Sequence, residues 1–402
     1  MAKRREQIRE KDVVGLKYFR RLLPLFERLH WVGCLRDKAG NRQLHMDQYC
    51  ALVLLFLFNP CLRSLRSLQQ ASQLKNVQRK LGCLRTSLGS LSEATDVFDP
   101  ARLREIIGEL AEQTRPVRDV AGKEVRHLLT AVDGSVVQTL STIAQAAYLK
   151  TKQGESRSAW RLHTHFDVDR GVPTRIDVTS ARNSGKAEEK NMLRGHLAAD
   201  HCYVLDRWYA QFKLFDEINA IGSSYVCRIR DNSNWEVIES RPLSPAALEA
   251  NVLEDAVVEL GTARWPDHPV RVVLVKIPPH PRRGGRKGGA AGPASDGVLR
   301  IATNLLDVPA ELIAEMYHHR WTIEIFFRFF KHVLGCRHLL SQDPVGIEIQ
   351  TYCAIIACLL ISLTTGCKPT LRTYEMICLY LQGWADEEEL LAHLAKLKPY
   401  TS

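Results

Sequence analysis

The chain has 402 residues, 45% hydrophobic and 25% charged, an ordinary globular make-up that excludes a disordered, collagenous or coiled-coil protein. Its longest unbroken apolar runs, Cys50 to Phe58 and Cys353 to Ile361, fall short of the roughly 18 residues a membrane span needs. The start, Met-Ala-Lys-Arg-Arg, lacks the apolar stretch of a secretory signal, so a cytoplasmic protein without a membrane span is expected.

Net charge is +10, and residues 1–120 hold 22 Lys and Arg against 13 Asp and Glu, so nearly all the excess belongs to one region. Apolar residues at helical spacing (Leu22, Leu25, Phe26, Leu29, then Leu52, Leu55, Phe56), broken at Pro60, Gly82, Gly89 and Pro100, predict a helical domain over 1–120. Its segment 61–90 carries Arg63, Arg66, Lys75, Arg79, Lys80 and Arg85 with no acidic residue. That is either a phosphate-facing surface, with Arg66, Arg79 and Lys80 as its contacts, or a solvated basic face.

From His127 the pattern turns to strands. Leu128 to Val132 is a short apolar run closed by Asp133, and Trp160 to Val168 alternates apolar with polar. Residues 172–179 predict another strand, Asn183 to Ala199 a helix, and His201 to Leu205 a buried strand ended by Asp206. A helix over Gln211 to Ala220 leads to the strand Tyr225 to Arg230. Residues 231–297 read as an inserted β-rich module containing the strand Arg271 to Ile277 and a Gly-, Pro- and Arg-rich loop, Pro278 to Asp296 (Arg282, Arg283, Arg286, Lys287). A last strand, Val298 to Thr303, precedes one long helix over 309–335, and helices fill 346–402. The fold class is α/β. Eleven cysteines without a Cys-x-x-Cys pair, several of them (Cys50, Cys61, Cys353, Cys358) within apolar helical patterns, read as reduced core thiols.

The chemistry concentrates on the 309–335 helix. It is crowded with Ile323, Phe326, Phe327 and Phe330, yet carries Tyr317, Arg320, Glu324 and Lys331, which helical geometry puts within an arc of roughly 60°. A half-buried row of charges is either a structural ion-pair stripe or the wall of a site. Asp133 and Asp206, at strand ends, are where open α/β sheets gather ligands, although Asp133-Gly134 also reads as a hairpin turn and Asp206 as a helix cap. Together the three carboxylates are a hard-oxygen set suited to Mg²⁺. His163 and His165 beside Asp167 read best as polar residues of a half-exposed strand, and Glu188 and Glu189 as solvent-facing.

Tyr317-x2-Arg320-x3-Glu324-x6-Lys331 resembles the Tyr-(2)-Arg-(3)-Glu-(6)-Lys signature of bacterial insertion-sequence transposases of the IS-four family. Ala131-Val132-Asp133-Gly134-Ser135 and Leu205-Asp206-Arg207-Trp208-Tyr209 are similar to the blocks around that family's two catalytic aspartates, with Trp208 standing where Gly is usual. The resemblance implies a ribonuclease-H-like core over 121–230 and 298–345, interrupted by the β-rich insertion. It implies Asp133, Asp206 and Glu324 as ligands of two Mg²⁺ ions, with Mn²⁺ as a substitute, and Tyr317, Arg320, Lys331, Arg207 and Tyr209 on DNA phosphates. Trp235 and Trp265 lie in the insertion, where a family member would stack a flipped base. The implied activity is binding of terminal inverted repeats, cleavage of the element ends through a hairpin intermediate and joining of the 3′ ends to target DNA, by a homodimer in the synaptic complex at the bacterial nucleoid. The alternatives are a domesticated DNA-binding protein without catalysis and a Mg²⁺-dependent nuclease of the same core.

Overall fold

The computed structural model describes residues 22–114, 125, 127–138, 147–150, 156–180, 185, 188–277, 297–333, 339–341, 343–365 and 370–396. The basic loop expected at 278–296 lies outside the described residues.

The helical layer is built first along the chain: α1 (Leu23–Glu27), α2 (Met46–Phe58), α3 (Leu65–Ser72), α4 (Lys75–Leu81), α5 (Leu88–Ser92), α6 (Ala94–Val97) and α7 (Ala101–Gln113). Starts and stops follow local chemistry. The Ser64 and Ser87 hydroxyls accept from the third backbone N–H of α3 and α5, and α4 stops at Gly82, which adopts the left-handed conformation (φ 60°) that a side chain resists. Nearly every residue of α2 is buried, so it is a core helix and not an amphipathic surface one.

The sheet has ten strands: β1 (Leu128–Gln138), β2 (Ala147–Lys150), β3 (Ser156–Asp167), β4 (Val172–Ser180), β5 (His201–Leu205), β6 (Ser224–Arg228), β7 (Trp235–Ser240), β8 (Val252–Leu260), β9 (Val270–Lys276) and β10 (Val298–Thr303). Its order is β2-β3-β1-β5-β6-β10-β9-β8-β7, with β4 also beside β3. β1, β5 and β6 run parallel, and the remaining pairings are antiparallel. The central strands have apolar residues on both faces because helices cover both. One face packs on α2, α7 and the long α13 (Pro344–Thr365); the other packs on α8 (Glu189–Arg194) and α9 (Phe212–Ala220). α10 (Pro245–Glu249), α11 (Ala310–His318), α12 (Trp321–Val333), α14 (Leu371–Leu381) and α15 (Glu387–Ala395) complete the chain.

Residues 231–277, expected as part of a β-rich insertion, form β7, β8 and β9, which extend the central sheet beyond β10. Other expectations are corrected. The helix expected over 183–199 is shortened to α8, and Cys61 is exposed beyond the end of α2. Counting only unbroken runs understates α13, since its stretch Pro344–Leu363 is long and apolar enough to cross a membrane, with a mean hydropathy of 1.8. Of that stretch 83% is buried, and its apolar character serves the interior, where it lies between α2, α7 and β4. The C-terminal helices likewise join the N-terminal layer: the Tyr374 hydroxyl donates to the Leu57 carbonyl at the end of α2.

One buried ion pair anchors the approach to α11. Arg271 on β9 donates through Nε and Nη2 to the two carboxylate oxygens of Asp255 on β8, both at 2.7 Å, and through Nη1 to the carbonyls of Leu305, Leu306 and Val308. Arg271→Ala leaves the buried Asp255 carboxylate without its guanidinium and takes a donor from each of these carbonyls, Leu306 keeping Arg241, so a loss of about 3–5 kcal/mol is expected in denaturant unfolding. Arg271→Lys, a point charge unable to span five acceptors, recovers only part of it.

Candidate active site

The parallel pairing of β1 with β5 brings the two aspartates together. Leu128 pairs with His201 and Ala131 with Val204; carried on by two residues, the register sets Asp133 against Asp206. Neighbouring strands lie about 4.8 Å apart, so the two residues come side by side where β5 has ended and β1 continues, with Asp206 near enough to act on the Asp133 carboxyl. Asp133 therefore sits in mid-strand and not at a strand end or hairpin turn, paired across to Thr164 of β3. Each is oriented by nearby backbone: Gly134 N–H donates to Asp133 Oδ1 and Trp208 N–H to Asp206 Oδ1, both at 2.8 Å.

The third acid arrives on a helix that is broken. In place of one helix over 309–335 there are α11 and α12, separated at His319 and Arg320. Thr322 Oγ1 donates to the His319 carbonyl at 2.8 Å, and Arg320 N–H reaches back only three residues to Tyr317 O, so the regular ladder is lost at the junction. The 60° stripe is thus not the face of a single helix. Glu324 and Lys331, seven residues apart on α12, share a side, and the break carries Arg320 into the acids. Arg320 donates to Glu324 Oε1 at 2.6 Å and stands 3.7 Å from Asp133 Oδ2.

Burial, opposed by Arg320 but reinforced by Asp206 and Glu324, pushes the Asp133 carboxyl up to about 7. Tyr317 is raised to about 12, mainly by burial, with Arg320 opposing and Asp206 adding to the rise. Among the described residues the one His, Cys, Asp and Glu group with ligand atoms all within 4.8 Å of one another is Asp216, Asp267 and His268, away from this site. Asp133, Asp206 and Glu324 are spread wider, with a guanidinium between two of them. Three carboxylates with one arginine among them are a donor set that a divalent cation would fit, since it supplies the missing positive charge.

The other expected residues divide. Arg207 is exposed and Lys331 half-buried. Tyr209, four residues past the end of β5, is buried in the core cluster that also holds Leu205, Leu214 and Phe215, not on an exposed phosphate-facing surface. Trp235 packs partly against that core, whereas Trp265 is exposed. Arg63, Arg66, Lys75, Arg79, Lys80 and Arg85 are all exposed on and around α3 and α4.

Glu189 and the two histidines are not solvent-facing. Glu189 is buried in an ion pair with Arg161 against the backbone of β1: a Cβ built on Gly134 would stand 2.5 Å from Glu189 Oε1, which explains glycine next to Asp133. His163 and His165 are buried under the same layer, and desolvation lowers them to about 4 and about 3, leaving both neutral. Asp167 is taken by Arg170 at 2.7 Å, so these three residues form no metal cluster. Sequence spacing held no signal for Glu189, whose burial depends on where α8 docks.

A mixed sheet that brings an aspartate within one strand beside another just past the end of its parallel neighbour, with a helix-borne glutamate and an arginine close by, is an arrangement that can hold a divalent cation. Residues 125–360 match the family described as transposase DDE domain, and the chain belongs to that family. It is a DNA transposase. Over 285 residues it is 24% identical to the transposase y4zB of Sinorhizobium fredii, covering 68% of this chain and 71% of that one. Over 307 residues it is 23% identical to the Escherichia coli transposase for insertion sequence element IS421, covering 69% and 78%. A solved piggyBac transposase synaptic complex with hairpin DNA aligns with a TM-score of 0.40 at 9% identity, over 96% of this chain and 84% of that one.

Proposed function

We propose that the protein binds the terminal inverted repeats of its own insertion sequence as double-stranded DNA, cleaves the element ends and joins the 3′ ends to target DNA. Asp133, Asp206 and Glu324 hold two Mg²⁺ ions, or Mn²⁺ in their place. The observation that carries this is the register of β1 on β5, which sets Asp133 against Asp206 beside Glu324, with Arg320 supplying the only cation found directly between acids there among the described residues. When bound, the ions would activate the attacking oxygen and stabilise the leaving 3′-oxygen of the scissile phosphate.

Every other task falls to the chain. Arg320 holds Asp133 and Glu324 together before metal enters; once the carboxylates are neutralised, its planar fork is free to turn to a phosphate of the element end. Lys331, on the same side of α12 as Glu324, offers a point charge to the backbone, as do Arg207 beyond Asp206 and Tyr317 through its hydroxyl. What supports a ribonuclease-H-like core is the order of its central strands, antiparallel β4, β3 and β1 followed by parallel β5 and β6. What supports the IS-four family within the transposases is the Tyr317, Arg320, Glu324 and Lys331 spacing. Pairing of two element ends calls for a homodimer in the synaptic complex, working on the nucleoid in the bacterial cytoplasm. Cleavage of a duplex carrying the inverted repeat of the element, with and without Mg²⁺, tests the reading: transposase gives nicks at the repeat terminus, a general nuclease gives unordered cuts, and a domesticated binding protein gives none.

The α3–α4 surface is assigned to the repeat. Arg66→Glu, Arg79→Glu and Lys80→Glu should each weaken binding and flatten its salt dependence, by about 0.9 in log–log slope for each phosphate no longer neutralised. Unchanged affinity and slope in a salt titration would make this a solvated face.

Metal binding should also depend on pH. The ligating form of Asp133 is the carboxylate, which predominates above about 7. Mg²⁺ affinity is therefore expected to be flat above that value and to fall by up to about tenfold per pH unit below it, with a proton released on binding. Calorimetric titrations in two buffers of different ionisation enthalpy measure that proton directly.

A further inference from the structure

Trp208, two residues beyond Asp206, is 48% exposed at the rim of the acidic site, an unusual place for a bare indole. Backbone geometry does not demand it: among the described residues only Asp200 and Asn251 have positive φ without being glycine, so Trp208 follows Asp206 in an ordinary conformation. Its backbone N–H is fixed on Asp206 Oδ1, and the Lys190 ammonium lies over one face of the ring, 4.8 Å from the centroid. Lys190 is itself largely buried, with Glu188 3.9 Å away, so the indole is held from one side by a positioned cation.

We propose that Trp208 is a positioning residue that stacks on the terminal base of the element end, with Lys190 as its support. The inference rests on the reading of Asp206 as part of the cleavage site. Cutting a duplex at its end leaves a terminal base whose outer face has no stacking neighbour. A clamped indole beside the acids offers that face a partner, and the stacking is tolerant of sequence because every base has a π face. Lys190 adds positive charge to a site that receives phosphates.

The test uses a blunt duplex ending in the element's inverted repeat, with 2-aminopurine either at the terminal position or ten base pairs inside, bound to the full chain without metal. Terminal fluorescence should be quenched several-fold by the wild type and by Trp208→Phe, and left unquenched by Trp208→Ala, with affinity for the end about tenfold weaker in the alanine variant. The internal label should not respond in any variant. Trp321, half exposed beside Arg320, is the control: quenching that survives Trp208→Ala and vanishes in Trp321→Ala overturns the assignment, as does equal quenching of both labels. Wild-type cleavage with Mg²⁺ of a longer duplex that carries flanking DNA beyond the repeat is scored separately, so failure of the cleavage-site reading is told apart from failure of the stacking.

Discussion

Asp133→Asn, Asp206→Asn and Glu324→Gln should each reduce cleavage of the element ends by at least about three orders of magnitude while leaving repeat binding nearly intact. Stabilisation of the scissile phosphate by the ions is worth several kcal/mol, and each 1.36 kcal/mol is a decade in rate. On the proposed reading, binding rests instead on exposed cations such as Arg66, Arg79 and Lys80, which these amide substitutions do not touch. The amides keep the size of the carboxylates, so Asp206→Asn still accepts from Trp208 N–H and Asp133→Asn from Gly134 N–H. Gel-resolved nicking alongside a binding titration checks both halves, and wild-type nicking by any one variant removes that residue from the triad.

Arg320→Ala should show two effects of different origin. Without metal, Asp133 and Glu324 lose the guanidinium beside them. The pair is only partly buried, so a loss of about 1–3 kcal/mol is expected, less than for a fully buried pair. Millimolar Mg²⁺ should restore much of that stability, because the ion then supplies the missing charge. Cleavage by the metal-loaded variant should nevertheless remain down by about 10²–10³, the scale of losing one donor to a reacting phosphate or oxyanion. Thermal melts with and without Mg²⁺, read against cleavage rates, separate the roles. Ordinary cleavage by the stabilised variant would reduce Arg320 to a structural neutraliser of Glu324.

Much of this site is legible one residue at a time. Asp133 and Asp206 stand out as acids adjoining strongly apolar strands, Glu324 as a charge among phenylalanines, and Arg66, Arg79 and Lys80 as cations in a segment without acids. The strand Val298–Thr303 and the strand His201–Leu205 are read with their ends in place, since short apolar runs bounded by turn residues leave little choice. Tyr209 shows the limit of that reading: its neighbours in the chain are Asp206 and Arg207, yet its ring belongs to the core.

Local composition alone determined that this is an α/β chain with a basic helical start, a strand-rich middle and three acids set among strongly apolar neighbours. These follow from side-chain periodicity and from the cost of burying charge, both readable within a few residues. Tertiary structure alone decided that β1 outruns β5 so that Asp133 meets Asp206, that β7 to β9 continue the central sheet, that the helix breaks to place Arg320 between the acids, and that Glu189 is buried beneath Gly134. Those features depend on strand register, on a hydroxyl competing for one carbonyl and on where α8 docks. Each is set by packing between residues far apart in the chain or by competition between alternative hydrogen bonds, which residue spacing does not encode.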